Sequence, residues 1–203
     1  MGQNNNQNGT VWKCESCDTI NTGAVCSVCG ACRPLDSNPT VSEKKKLSMA
    51  EENKYYSLLL DAREFRKKEQ YADELKALMK AAEIDDSSYD LWYDLGVSFK
   101  DNSFLIKAIE CYKKAIDKGN QSWQVWNNLG VAYKRNNYIQ ESTTYYEKAI
   151  RIISKTDVNY RLVLSNYAVS IGLLGDKQKA AQMLNEAERL GKDVTVQRKA
   201  LGL

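Results

Sequence analysis

Four cysteines near the start of the chain are spaced to hold a metal ion. Trp12-Lys13-Cys14-Glu15-Ser16-Cys17 is followed, after eight residues, by Cys26-Ser27-Val28-Cys29-Gly30-Ala31-Cys32. Two Cys-x-x-Cys pairs at this separation are a strong zinc signal. Each pair makes a tight turn whose thiolates bite one side of a tetrahedral ion, and Gly30 suits the left-handed turn that aims backbone N–H groups at the sulfurs. So few apolar residues accompany them that the segment needs the metal to fold. Four thiolates leave no open coordination position, so Cys14, Cys17, Cys26 and Cys29 are expected to hold one structural Zn2+ and no catalytic one. Cys32 is a fifth thiol, either a spare reduced cysteine or an exchange ligand in a redox switch. Cys111, far along the chain, reads as a small packing residue.

Histidine is absent. That removes Cys-His and Ser-His-Asp catalysis and every zinc site that contains histidine. There is no glycine-rich phosphate loop, and the adjacent carboxylates Asp85 and Asp86 fall at an expected turn, so neither an enzyme nor a small-molecule substrate is expected. The formal charge of +3 is nearly balanced, unlike that of a strongly basic nucleic-acid binder. No apolar run reaches membrane-spanning length. The Gln/Asn-rich start lacks the basic and apolar regions of a signal peptide, which favours a cytoplasmic location and reduced, metal-binding cysteines.

The elements that would display a binding surface lie behind the cysteines. Residues 1–11 read as a disordered leader, 12–34 as the metal module, and 35–54 as a linker and helix start. Ser48-Met49-Ala50-Glu51 has capping-box spacing. Beyond it, Trp92-x-x-Leu95-Gly96-x-x-Phe99 recurs 34 residues later as Trp126-x-x-Leu129-Gly130-x-x-Tyr133, and Ala108, Tyr112 and Ala115 recur as Ser142, Tyr146 and Ala149. A fixed period of this length marks a stacked helical repeat. Four units are expected near 55–88, 89–122, 123–156 and 161–194, each of two antiparallel helices, with 195–203 as a cap over the last pair. In the second unit the helices should run over about 89–101 and 105–118. Gly96 and Gly130, with Ala62 and Ala168 in the equivalent places, should let the two helices of a unit approach closely. Trp92, Trp126, Phe99, Tyr133, Tyr112 and Tyr146 should fill the space between neighbours, and Gly119 and Gly191 should stop helices.

Over roughly 55–194 these motifs resemble the tetratricopeptide repeat family, most specifically in the second and third units. The first unit keeps the spacing at Leu58, Asp61, Ala62, Phe65, Leu78 and Ala81 without the Trp or Gly. The resemblance implies a mainly α fold: a helical-hairpin repeat solenoid of about four units, preceded by a small four-cysteine zinc knuckle or ribbon. It also implies a concave groove, lined by the first helix of each unit, that binds a protein or peptide. Trp12, the two Cys-x-x-Cys pairs, Asn21 and Arg33-Pro34 resemble a Ran-binding-protein-type zinc finger, although the loop from Asn21 to Cys26 is two residues short; a zinc ribbon is the alternative. Members of that finger family bind ubiquitin, single-stranded RNA or small GTPases. Here Asp18 and Thr19 replace the pair that ubiquitin binders carry. Between Cys17 and Cys26 there is no arginine or aromatic to hold bases, which leaves only Trp12, Lys13 and Arg33 for RNA.

By the same resemblance, the groove positions include Arg63 and Arg66 in unit one, Tyr93, Val97 and Lys100 in unit two, and Asn127, Val131 and Lys134 in unit three. Leu162, Ser165, Val169 and Gly172 follow in unit four. Arg63, Arg66, Lys100 and Lys134 outnumber Asp90, so an acidic or extended peptide is the expected ligand, with Asn127 gripping its backbone. Asn128 matches the middle Asn of the family's carboxylate clamp, but Tyr93, Val97, Leu162 and Asn166 occupy its other places, so that clamp is absent. The expectation is a non-enzymatic adaptor or scaffold. The alternatives are an RNA-associated factor acting through the finger and a redox-responsive zinc regulator.

Overall fold

The computed structural model describes residues 47–203 and the backbone of 12–13 and 20–21. The chain divides into two compact units, Met1–Lys44 and Lys45–Leu203. In the first, β1 (Trp12–Lys13) and β2 (Ile20–Asn21) pair antiparallel, with Trp12 opposite Asn21 and Lys13 opposite Ile20. Cys14, Cys17, Cys26, Cys29 and Cys32, with Gly30, Arg33 and Pro34, lie outside the described residues, as do the side chains of Trp12 and Asn21.

The second unit is built of helices: α1 (Met49–Lys67), α2 (Tyr71–Ile84), α3 (Tyr89–Asp101), α4 (Leu105–Asp117), α5 (Trp123–Arg135), α6 (Ile139–Ile152), α7 (Tyr160–Leu173), α8 (Lys177–Arg189) and α9 (Thr195–Leu201). Consecutive helices pair as four hairpins, α1–α2 to α7–α8. The second helix of each hairpin packs on the first helix of the next, and α9 packs against α7 and α8. One hydrophobic core runs through all four hairpins, since no single hairpin can bury its apolar face alone.

Local chemistry sets the helix ends. α1 opens with the expected capping box: the Ser48 hydroxyl accepts from the Glu51 N–H, and the Glu51 carboxylate accepts from the Ser48 N–H. The first three hairpins turn through a left-handed residue, Glu69, Ser103 and Asn137, with φ of 57°, 65° and 65°. The next N–H then bonds back to a carbonyl five residues earlier, as Phe104 does to Phe99 and Tyr138 to Tyr133. Asn takes this conformation readily, whereas Glu and Ser do so at a cost of roughly 1–2 kcal/mol that the closed helix end offsets. The 34-residue period is therefore present in the turns as well as in the core. Gly119 and Gly191, with φ of 106° and 84°, end α4 and α8 as expected.

Close approach within a hairpin depends on glycine. A methyl group at Gly96 would stand 2.5 Å from the Tyr112 ring, and one at Gly130 would stand 2.9 Å from the Tyr146 ring. Both rings are fully buried. Tyr112 and Tyr146 thus seat on the glycine of their own hairpin, and Tyr146 also fills the space between neighbours, its ring centre 6.4 Å from that of Tyr167 in the next hairpin. Trp92 and Trp126 are likewise covered from within: Lys114 and Lys148 lie 4.1 and 4.5 Å from their ring centres, within cation–π range. Gly172, expected in the groove, is instead covered by Leu201 of α9. Among the described residues, no helix is long and apolar enough to cross a membrane.

Candidate functional site

The first helices of the hairpins, α1, α3, α5 and α7, are joined side by side through polar side chains. Asn128 Nδ2 donates to the Tyr93 hydroxyl at 2.8 Å, tying α5 to α3. Asn166 Nδ2 donates to Asn127 Oδ1 at 3.2 Å, tying α7 to α5. The same two places are used at both seams: the sixth position of one unit reaches the fifth position of the unit before it. Asn127 is only 6% exposed, and its Nδ2 donor and the Asn128 Oδ1 acceptor make no hydrogen bond among the described residues. Partly buried Val97, Val131 and Val169 occupy the ninth position of successive units.

At the first seam the corresponding residues are Leu59 and Asp94, and no bond forms between them; α1 is tied to α3 instead by Arg66 Nη1, which donates to Asp101 Oδ2. Asp94 makes no hydrogen bond or ion pair among the described residues. Its side chain is exposed, although α1, α2 and α3 crowd the carboxylate on the cavity side. Burial raises its carboxyl above the ordinary value; Arg66 opposes the rise, Asp90 adds to it, and Arg63 opposes it. Both residues line a cavity of about 550 Å³ between α1, α2 and α3.

Arg66 is not free to meet a ligand. Its Nε donates to Glu74 Oε1 at 2.8 Å and its Nη1 to Asp101 Oδ2 at 3.3 Å. Burial works against the Arg66 charge, but Glu74 and Asp101 outweigh it and hold the guanidinium above its ordinary value. Glu74 is 2% exposed, and its second oxygen, Oε2, is buried with no hydrogen-bond partner. Burial raises the Glu74 carboxyl and Arg66 lowers it; with Asp101 and Asp94 adding to the rise, the net shift is upward, so the pair is tight yet leaves part of the carboxylate unanswered.

The charge in the groove therefore differs from the sequence expectation. Lys100 Nζ lies 3.5 Å from Asp101. Lys134 Nζ lies 5.7 Å from the Tyr146 ring centre, and burial lowers its pKa. At the first seam Glu74, Asp85, Asp90 and Asp94 face Arg63 and Arg66 across one cavity. A second cavity of about 550 Å³, beside Tyr93 and Gln124, has Asp90 as its single charged lining residue. Glu74 was missed because it reaches the groove from a second helix, which groove positions do not include. Asp94 could have been found: it sits 34 residues before Asn128.

Among the described residues, no three or more His, Cys, Asp or Glu side chains cluster to hold a metal. Cys111 is buried in α4, and burial pushes its thiol up to about 11, which leaves it a packing residue and not a nucleophile at neutral pH.

With this geometry in view, residues 124–156 match the model for a tetratricopeptide repeat. The array is a tetratricopeptide-repeat-like solenoid. Solved structures with the same fold include pilF of Pseudomonas aeruginosa, 18% identical over 75% of this chain and 68% of its own, at a TM-score of 0.62. BtubC from P. vanneervenii is 20% identical over 73% of this chain and 66% of its own, at 0.64. An O-GlcNAc transferase of Thermobaculum terrenum is 15% identical over 70% of this chain but only 27% of its own, at 0.61. At these identities the likeness is one of fold alone, and the fold occurs in an enzyme as well. No curated protein matches the chain.

Proposed function

We propose that this protein is a non-catalytic adaptor whose groove holds an extended segment of a partner protein. The observation that carries this reading is the paired use of the fifth and sixth positions across α3, α5 and α7. Tyr93, Asn127, Asn128 and Asn166 hold three helices as one surface, and the amide groups of Asn127 and Asn128 left unpaired can meet a peptide backbone. Val97, Val131 and Val169 run beside them as an apolar stripe for the segment's side chains. A preformed surface of this kind lowers the entropy cost of binding.

The test is selection from a random peptide display library on the intact chain. Peptides should be enriched, and their binding should be lost when Val97 and Val131 are both replaced by Glu but kept when exposed Tyr138 is replaced by Ala. Failure to enrich peptides, or binding indifferent to the Val substitutions, would remove the reading.

The N-terminal module is proposed to hold one structural zinc ion through Cys14, Cys17, Cys26 and Cys29. Four thiolates fit zinc, and the antiparallel pairing of Lys13 with Ile20 returns the backbone on itself on either side of Cys14 and Cys17. Elemental analysis of the purified chain should find one zinc per molecule, and replacing Cys14 and Cys17 with Ser should abolish it. A metal-free parent chain purified under reducing conditions would refute the assignment.

A further inference from the structure

The cavity at the first seam lacks the fifth-to-sixth-position bond of the next two seams, and in its wall Glu74 Oε2 and Arg66 Nη2 are each buried without a hydrogen-bond partner. At the next two seams an Asn amide closes the gap between hairpins. Here the sixth-position residue is Asp94, which can only accept when ionised, and the fifth-position residue facing the cavity with it is Leu59, which cannot donate. Glu74, 98% buried in the wall of the same cavity, carries an oxygen with no partner. Arg66 is engaged with Glu74 and Asp101, and Arg63 makes no ion pair among the described residues, so exposed Asp94 has no protein donor among the described residues. With Arg66 set against Glu74, the remaining lining charges are Asp85, Asp90 and Asp94 against Arg63 alone. At the rim Tyr56 offers a ring that is 62% exposed and packed edge-on against Tyr55.

We propose that this cavity is a subsite for a cationic side chain, the guanidinium or ammonium of an arginine or lysine in the partner's extended segment. The cation supplies the donor missing at Asp94, pairs with Asp90 at the mouth, and lies against the Tyr56 ring. Its size suits the task, since cavities of roughly 300–1,000 Å³ are those that hold ligand groups. The acids at the first seam also give the groove a direction: a bound segment carries its basic residue toward α1, while its apolar and backbone contacts fall on α3, α5 and α7. The subsite deepens the adaptor reading and rests on the concave face being the binding face.

The test is a titration of the intact, isotopically labelled chain with Nα-acetyl-arginine amide, followed by backbone amide shifts, with Nα-acetyl-glutamate amide as the control. The arginine probe should give saturable shifts at Asp90, Asp94 and Tyr56, and the glutamate probe should not. Asp94→Asn installs the residue found at the same place in the next hairpin and so should fold, yet it should weaken arginine binding about tenfold or more. Asp90→Asn serves as a second variant outside the core and should also weaken it. If the arginine probe saturates but display selection enriches no peptide, the cation site stands and the groove reading falls. If groove-dependent peptides are enriched while the arginine probe leaves the first seam unmoved, or Asp94→Asn binds it as tightly as the parent chain, the cation site alone is overturned. Equal shifts from the glutamate probe overturn it too.

Discussion

Replacing Gly96 with Ala adds one methyl group and should be the most damaging of three chemically identical changes. The new carbon would lie 2.5 and 2.6 Å from two atoms of the Tyr112 ring. Carbons in contact rest about 3.5–4.0 Å apart, so the overlap is roughly 1 Å against a rigid, fully buried ring. At Gly130 the nearest Tyr146 atoms are 2.9 Å away, and the overlap is roughly 0.6 Å by the same measure. At Gly172 the approach is 2.6 Å, but to the tip of Leu201 on the short terminal helix α9, which can move aside. Each change also gains about 0.8–1.0 kcal/mol of helix propensity. Overpacking typically costs about 1–3 kcal/mol. The net loss should therefore be about 2 kcal/mol for Gly96→Ala and about 0–1 kcal/mol for Gly130→Ala, and near zero for Gly172→Ala. Urea unfolding followed by helical circular dichroism measures all three. Pushing α3 away from α4 should also displace Asp90 and Asp94, so Gly96→Ala alone should disturb the cavity at the first seam. If Gly96→Ala matches the parent chain, or Gly130→Ala loses more stability, then glycine is not what permits the close contact.

Arg66→Ala strips Glu74 of its counter-charge and should cost about 3 kcal/mol, the low end for breaking a buried pair, because 39% of the Arg66 side chain is exposed; Glu74→Gln should cost far less in the same unfolding assay, and equal losses would mean that the carboxylate is not held as an ion. Asp94 has its folded pKa raised above the ordinary 3.8, so the stability it contributes is full below 3.8 and is lost as pH rises through the folded value. Asp94→Asn should accordingly gain stability relative to the parent chain at pH 7, and the gain should vanish near pH 3; a constant difference across that range would contradict the burial argument. Cys111 should escape iodoacetamide at pH 8 in the native chain and react only after denaturation, as peptide mapping by mass spectrometry would show, because burial holds its thiol at about 11. Ser103→Gly should stabilise the array by about 1 kcal/mol, since it removes a side chain from a left-handed turn residue; no change on unfolding would mean that the turn is unstrained.

Much of the array was legible because a helical hairpin that cannot stand alone must repeat its contacts. Trp92 and Trp126, Gly96 and Gly130, and Tyr112 and Tyr146 announce the same geometry twice. The capping box at Ser48 and the stops at Gly119 and Gly191 are local events that depend on a few neighbouring residues. The groove was less legible. Its positions follow from helix geometry, but the state of each side chain depends on partners from other helices. Arg66 and Lys100 read as free cations until α2 brings Glu74 to the first and the end of α3 brings Asp101 to both.

The amino-acid sequence by itself determined that this chain stacks helical hairpins at a 34-residue period and carries four thiols at zinc spacing, because both are patterns of residue type along the chain. Only the tertiary structure decided where charge is satisfied and where it is not. It seated Tyr112 and Tyr146 on glycines of their own hairpins and linked Asn128 to Tyr93 and Asn166 to Asn127. It also left Asp94 at the one seam among these three where the facing residue, Leu59, cannot donate. The reason is physical: burial and hydrogen bonding are properties of pairs that meet across tens of residues. A carboxylate in sequence is only a charge until the fold shows whether a donor comes to meet it.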